Sequence, residues 1–203
     1  MKETKQNILV AAANLFLSKG FEGTSVADIS QLIGLSNAIM YRYFKSKEEL
    51  YRKVVDIYFI EKQNTNIKYK KSDETFTDFI DAYINEVASI IKSLQTFNKS
   101  NVTSASYMAF MFEAGNRYED CAQNYLNQDK LVFDLWKTQI EAAIKRKEIR
   151  EDIDVETVVG MFMFAFYGSS YISAFEKGLN PKRLKEIYYK YYELIKINPE
   201  DRK

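Results

Sequence analysis

Apolar residues recur three and four apart along almost the whole chain, the period of amphipathic helices, and nowhere alternate for long enough to predict a strand. Ile8, Ala12, Leu15 and Phe16 mark one face of a first helix from about Glu3 to Lys19. Gly20 then fits a C-terminal stop, with Phe21 folding back. Val26, Ile29, Leu32 and Ile33 predict a second, short helix, capped by Ser25 with Asp28 in its first turn. Gly34 supplies a tight left-handed turn. Leu35 is predicted to pack inward and Ser36 to cap a third helix, in which Met40 and Phe44 sit four apart on the buried side.

The pattern beyond this head is longer-ranged. Ser46-Lys47-Glu48-Glu49 is a capping box that opens a fourth helix, expected to reach about Lys70 before the polar run Lys70–Glu74. Phe76, Phe79, Ile80, Tyr83, Ile84, Val87, Ile90, Ile91 and Leu94 predict a strongly amphipathic helix. Residues 98–104 read as a loop, Ser106–Glu113 as a short helix, and Gly115-Asn116 as its break. A long helix over about 120–147 carries Tyr125, Leu131, Val132, Leu135, Trp136, Ile140 and Ile144. Asp154 caps an uncharged helix expected to end at Gly178. Asn180-Pro181 opens the last one with a cap residue and a proline at the first helical position. Its stripe is Leu184, Ile187, Tyr188, Tyr191, Leu194 and Ile195. The expected fold is all-α, about nine helices: a three-helix head and a larger helical body.

Composition sharpens this in a few places. Two prolines and seven glycines in 203 residues, with no Ser/Gly/Pro-rich linker, favour helices in direct succession. The net charge of +1 says nothing by itself, but residues 1–53 carry eight cations and five anions, leaving the remainder near −2. That asymmetry points the basic end at phosphates, although a solvated charged face gives the same count. The lone cysteine, Cys121, excludes an internal disulfide and suits a reducing cytosol, and packing is its expected role. The N-terminus lacks the apolar stretch of a signal peptide, so a cytoplasmic protein is expected. Thr157–Phe175 is uncharged and near the length of a bilayer span, but it holds two glycines and several hydroxyls and has acids on both flanks. A core or interface helix is the expected reading, with no membrane. No histidine, clustered cysteines, Gly-rich phosphate loop or nucleophile paired with a base marks an enzyme, a metal site or a cofactor site.

The capped pair of short helices around Gly34 has the form of a helix-turn-helix. Between Ser36 and Lys47 there are three cations and no carboxylate, and Asn37, Ala38, Ile39, Tyr41, Arg42 and Tyr43 are left to face outward. The matching residues are Gly20-Phe21, Thr24-Ser25-Val26, Ile29, Gly34-Leu35-Ser36, Tyr41, Tyr43-Phe44, Lys47-Glu48 and Leu50. At this spacing the segment from about residue 5 to 52 resembles the DNA-binding region of the TetR family of bacterial transcriptional regulators.

The resemblance implies a DNA-binding domain over residues 1–46 and a ligand-binding and dimerisation domain over 47–203, with 47–70 as connecting helix. It implies that Thr24, Ser25 and Lys47 grip the phosphate backbone, with the helix N-terminus at Ser36 alongside, and simple capping is compatible with that role. Tyr41 and Tyr43 would present hydroxyls to phosphates, and such contacts set position without reading sequence. Sequence would be read by Asn37, Ala38, Ile39 and Arg42, where this chain departs from the commoner basic, Gly/Ala, Thr/Ser pattern at 37–39. Asn37 can pair with adenine and the other two can touch thymine methyls, which predicts an A·T-biased half-site. Burial of Ile39 within the head is the competing reading.

The family also implies a homodimer through the last two helices, double-stranded DNA with a palindromic operator as partner, repression as the usual mode, and a small-molecule effector. Close helix approach at Gly160, Gly168, Ser169 and Ser170 and contact area from Tyr188, Tyr189, Tyr191 and Tyr192 fit a dimer surface. Phe97, Tyr107, Phe110, Met111, Tyr125, Trp136, Phe166 and Tyr167 are the candidates for an aromatic effector pocket, with plain core as the alternative for each. A helical interaction protein without sequence-specific DNA binding is the competing functional reading.

Overall fold

The computed structural model describes residues 2–57, 75–96, 104–176 and 178–198. Nine α-helices run through them: α1 Lys2–Lys19, α2 Val26–Leu32, α3 Asn37–Tyr43, α4 Lys47–Val55, α5 Phe76–Thr96, α6 Ser104–Arg117, α7 Glu119–Lys145, α8 Val155–Ser173 and α9 Pro181–Ile195. No strand forms among the described residues, only a single antiparallel bridge between Ile149 and Lys196.

The caps fall where the sequence puts them, because a short polar side chain ahead of an apolar run can satisfy orphan N–H groups without competing inside the helix. Ser25, Ser36, Ser46, Asp154 and Asn180 each accept from the first turn that follows. Thr75 and Asp78 form a reciprocal cap at the start of α5, where the Phe76 N–H also donates to Glu148 at 2.7 Å.

Several boundaries differ from expectation. Gly115 and Asn116 do not break α6, which continues to Arg117; a helical glycine costs about 1 kcal/mol against alanine, which packing can outweigh. Gly178 adopts φ +94° and donates to the Ser173 carbonyl at 3.0 Å, so it closes the turn, but α8 itself stops at Ser173. Leu32, assigned to an apolar face, is 58% exposed, since α2 turns only Ile29 and Ser30 fully inward. The expected run of the fourth helix past residue 57 and the loop at 98–103 lie outside the described residues.

The described residues pack as two compact units, 2–57 with 93–96 and 104–126, and 75–92 with 127–176 and 178–198. This packing division differs from the expected domain boundary at 46/47. In the first unit, Ile8, Ala12, Phe16, Ile29, Met40, Phe44, Leu50 and Tyr51 share one core with Phe110 and Ala114 of α6. Burying a large apolar side chain contributes about 1.5–3 kcal/mol, so this core binds the head to α4 and α6.

The second unit is built on aromatic rings. Trp136 is fully buried, with Phe79 and Phe162 both at 4.7 Å between centroids, Tyr83 at 5.0 Å and Tyr188 at 5.4 Å. Length and composition alone would let α8 cross a bilayer. In the structure Val158, Val159, Phe162 and Met163 make one side of it a wall of this core. Tyr188, a candidate for dimer contact, is fully buried here and unavailable for it. Tyr189 donates to Asp81 at 2.9 Å, beside a Lys185–Asp81 ion pair at 2.8 Å.

Burial, and then the bond to Asp81, push the Tyr189 phenol up to about 12. A folded-state value above the unfolded one means that this contribution is complete below about pH 10 and fades as pH rises toward about 12. Urea unfolding followed across that window should show Tyr189→Phe losing less stability with rising pH than the parent. Identical pH slopes would show that the pair is not linked to folding.

Candidate nucleic-acid interface

The turn after α1 sets where α2 and α3 can go. Gly20 leaves the helix at φ +72°, a left-handed conformation that a side chain disfavours. Phe21 then folds back until only 3% is exposed. Its ring meets Tyr51 edge-on at 5.0 Å. Its N–H donates to both carboxylate oxygens of Glu113, at 3.0 and 3.2 Å, and its carbonyl accepts from the Lys47 ammonium at 3.0 Å. That ammonium lies 4.0 Å from the Phe21 ring centroid and the Arg117 guanidinium 3.9 Å from it. A cation held over an aromatic face contributes about 0.5–2 kcal/mol.

Tyr51 also donates to Glu113, at 3.3 Å. Burial, and then the neighbouring carboxylate, push its phenol well above the usual tyrosine range, so it stays a neutral donor. Arg117 completes the cluster by an ion pair with Glu22 at 2.8 Å.

Two residues expected at the phosphates are drawn into this turn instead. Thr24 is 1% exposed, and its hydroxyl donates to the Gly20 carbonyl at 2.9 Å. Lys47 is half-buried and engaged with Phe21. Both hold the α1–α2 turn rather than face outward.

Ser25 is exposed and sits in a full capping box, its hydroxyl accepting from Asp28 N–H at 3.0 Å while its own N–H donates to the Asp28 carboxylate at 2.9 Å. Hydrogen bonds from the Ser25 hydroxyl and then its N–H hold the Asp28 carboxyl below its usual range. Gly34 takes φ +69° with open space around it, so its conformation rather than any close contact requires glycine.

α3 follows with Ser36 as cap and Met40 and Phe44 buried, as its spacing predicts. Asn37, Ala38, Tyr41 and Arg42 are exposed, Tyr41 to 52%. Ile39 and Tyr43 are half-buried. The outward face is therefore an amide, a methyl, a phenol and a guanidinium on a seven-residue helix, with no acid on α3. Such a surface can donate to phosphates and to the acceptor edges of a major groove.

Sequence reasoning missed four contributors. Glu113 and Arg117 lie about ninety residues from Phe21, where helical periodicity carries no signal. Ser30 looks like an ordinary helix serine. Gly23 looks like loop, yet a Cβ there would sit 2.3 Å from the Lys19 carbonyl oxygen.

The aromatic residues expected to line an effector pocket divide between the two units. In the first, Phe110 is core, 5.0 Å from the Tyr51 ring, Tyr107 and Met111 pack partly buried on the same cluster, and Tyr125 is 40% exposed. In the second, Trp136 is core, while Phe166 and Tyr167 pack on its margin and the Tyr167 hydroxyl bonds to Asp129. Phe97 lies outside the described residues. A cleft of about 610 Å³ in the first unit is lined by Arg52, Arg117, Tyr118, Glu119, Asp120 and Gln123, a polar set that includes none of these candidates. Cys121 is buried, and burial raises its thiol, so it is held in the unreactive protonated form.

Three helices with a glycine turn before a donor-rich third helix define a helix-turn-helix DNA-binding module. Residues 8–54 match the family model for bacterial regulatory proteins, tetR family. The repressor KstR2 of Rhodococcus jostii is 26% identical over 165 residues, covering 75% of this chain and 71% of that protein. The biofilm operon regulator IcaR of Staphylococcus epidermidis is 40% identical over 52 residues, 26% of this chain and 28% of that one. The crystal structure of a TetR-family regulator from Agrobacterium tumefaciens shares the fold with a TM-score of 0.67 at 22% identity, over 97% of this chain and 99% of that one. Residues 8–54 therefore carry the DNA-binding region of the TetR family of bacterial regulatory proteins, and the chain as a whole shares the fold of a TetR-family regulator.

Because the nearest obstacle to a side chain at Gly23 is a backbone oxygen, Gly23→Ala should force the α1–α2 turn open and lower the unfolding free energy of the first unit by more than about 1 kcal/mol. Chemical denaturation measures this. An unchanged midpoint would mean that the turn yields freely.

Proposed function

We propose that this chain acts as a cytoplasmic homodimer that represses transcription by binding a palindromic operator through α2 and α3, and is released by a small lipophilic or aromatic effector. Residues 1–46 form the DNA-binding domain in this reading, and 47–203 the ligand-binding and dimerisation domain. The observation that carries it is the rigidly founded, acid-free outer face of α3. Ser25, Ser36 and Tyr41, with Tyr43 at the margin, hold the phosphates, and Asn37, Ala38, Ile39 and Arg42 enter the groove. Thr24 and Lys47 serve the same contact indirectly by fixing the turn before α2, and Lys47 reaches a phosphate only by leaving Phe21.

Dimer formation is supported by one face of α8. Phe164 is 73% exposed, Tyr171 56% and, just past the end of the helix, Phe175 78%, seven and four residues apart along one side, with Ile172, 57% exposed, at its edge. Gly168 lies on the same stripe, exposed, with nothing within 4 Å of the position a Cβ would take. An apolar stripe with a small residue at its centre suits close approach of a second helix. The effector reading rests on the family and on the partly buried aromatics Tyr107, Phe166 and Tyr167, with Met111 beside the first. An effector releases DNA only if it binds better to a conformation in which the two heads no longer fit the operator.

Selection of bound fragments from genomic DNA by the purified protein tests the function directly, and recovery of a palindromic site supports it. Tyr41→Phe should weaken all duplexes alike, by about 1 kcal/mol, with the salt slope unchanged because no charge is lost. Absence of any salt-dependent duplex binding would favour the interaction-protein reading instead.

The double variant Phe164→Glu, Tyr171→Glu should be monomeric at micromolar concentration by sedimentation equilibrium, with helix content retained. A dimer of unchanged strength would move the interface elsewhere.

A further inference from the structure

Ser30 on α2 is 4% exposed, one of few polar side chains buried in the head. Its hydroxyl oxygen lies 2.5 Å from the Asn37 amide oxygen and 3.0 Å from the Ala27 carbonyl oxygen. The hydroxyl donates its one proton to the Asn37 oxygen, the nearer acceptor, so the amide faces Ser30 with its oxygen and not its nitrogen. The amide is planar, so with its oxygen turned toward the buried hydroxyl its NH2 group is the end left for solvent, on a residue that is itself exposed.

This changes what α3 can read. A paired contact to adenine needs the asparagine oxygen to accept from N6 while the nitrogen donates to N7. With the oxygen turned to Ser30, Asn37 presents its NH2 donors to the groove. Those donors match the adjacent acceptors N7 and O6 of guanine, whereas adenine offers N7 with the N6 donor beside it. A G·C pair is therefore the better match, and an A·T pair loses the bond from N6 that a freely turning asparagine accepts.

We propose that Ser30 is a positioning residue for operator recognition: it holds the Asn37 amide with its oxygen inward, so that α3 favours a G·C pair over an A·T pair at one position of each half-site. The inference rests on the DNA-binding reading above and replaces the adenine contact expected from the Asn37 side chain alone. Ser30 touches no base. It acts through the side chain seven residues later, across the turn at Gly34.

The test is selection from a random-sequence duplex library with the full-length parent, Ser30→Ala, Ser30→Thr and Asn37→Ala. Asn37→Ala, at an exposed site where folding is not at risk, identifies the position that Asn37 reads as the one whose preference disappears. In the parent that position should be a G·C pair. Ser30→Ala frees the amide to rotate, so an A·T pair at that position alone should rise about tenfold relative to G·C. Ser30→Thr keeps the hydroxyl and should restore the parental preference. An A·T pair at the Asn37 position in the parent would overturn the proposal. So would a Ser30→Ala preference identical to the parent's, or one weakened equally at all positions, which is the result for a serine that only packs. A parent that binds no duplex would remove the DNA-binding reading and this inference with it. A parent that binds without these differences removes the inference alone.

Discussion

The bond from the Phe21 backbone to Glu113 is the constraint around which the head is arranged. A helix that leaves through a left-handed glycine must place the next few residues with little regular hydrogen bonding of its own. Here the first N–H after Gly20 finds a carboxylate from α6, and the carbonyl of the same residue finds an ammonium from α4. Hydrogen bonds to charged partners contribute about 1.5–3 kcal/mol each, and leaving such a buried group unpaired costs at least as much. The start of α2, and through it the direction of α3, is thus fixed by side chains from two other helices.

That arrangement also ties the head to α6 chemically. Glu113 accepts from Phe21 and Tyr51, and Arg117, one turn later, lies over the Phe21 ring and reaches Glu22. A shift of α6 along its axis would separate a carboxylate and a guanidinium from the same turn at once. Any displacement of α6 would therefore meet its resistance at this turn, next to the start of α2. Exposed pairs such as Arg52–Asp120 add little by comparison, because solvent screens them.

α8 shows a different division of labour. Nineteen residues with a single charge can be buried on every side, but only one side of the helix is. Phe162 stacks on Trp136 at an interplanar angle of 19°, whereas Phe164, two residues on, faces outward. A Cβ at Gly168 would meet nothing within 4 Å among the described residues, so no close packing there requires a glycine. A face of this kind is stable in water when something covers it, which is the basis of the dimer proposed for this chain.

How much of this was legible in the sequence depends on the range of the interaction. The helices, their caps at Ser25, Ser36, Ser46, Asp154 and Asn180, the left-handed turn at Gly34 and the burial of Met40 and Phe44 are local. A cap acts within three residues and an apolar face repeats within four, so short-range pattern determined them, and with them the family. Tertiary structure decided the destinations of Thr24, Lys47 and Tyr188, all of which the family resemblance would place at working surfaces. Thr24 and Lys47 turn inward because the carbonyls of Gly20 and Phe21 need donors. Tyr188 turns inward because Trp136 needs rings around it. It also decided that the Asn37 oxygen faces Ser30 rather than the groove, since the angle between α2 and α3 brings those two atoms together. Periodicity records which side of a helix is apolar, but not which partner, ninety residues away or across a turn, will claim a polar atom first.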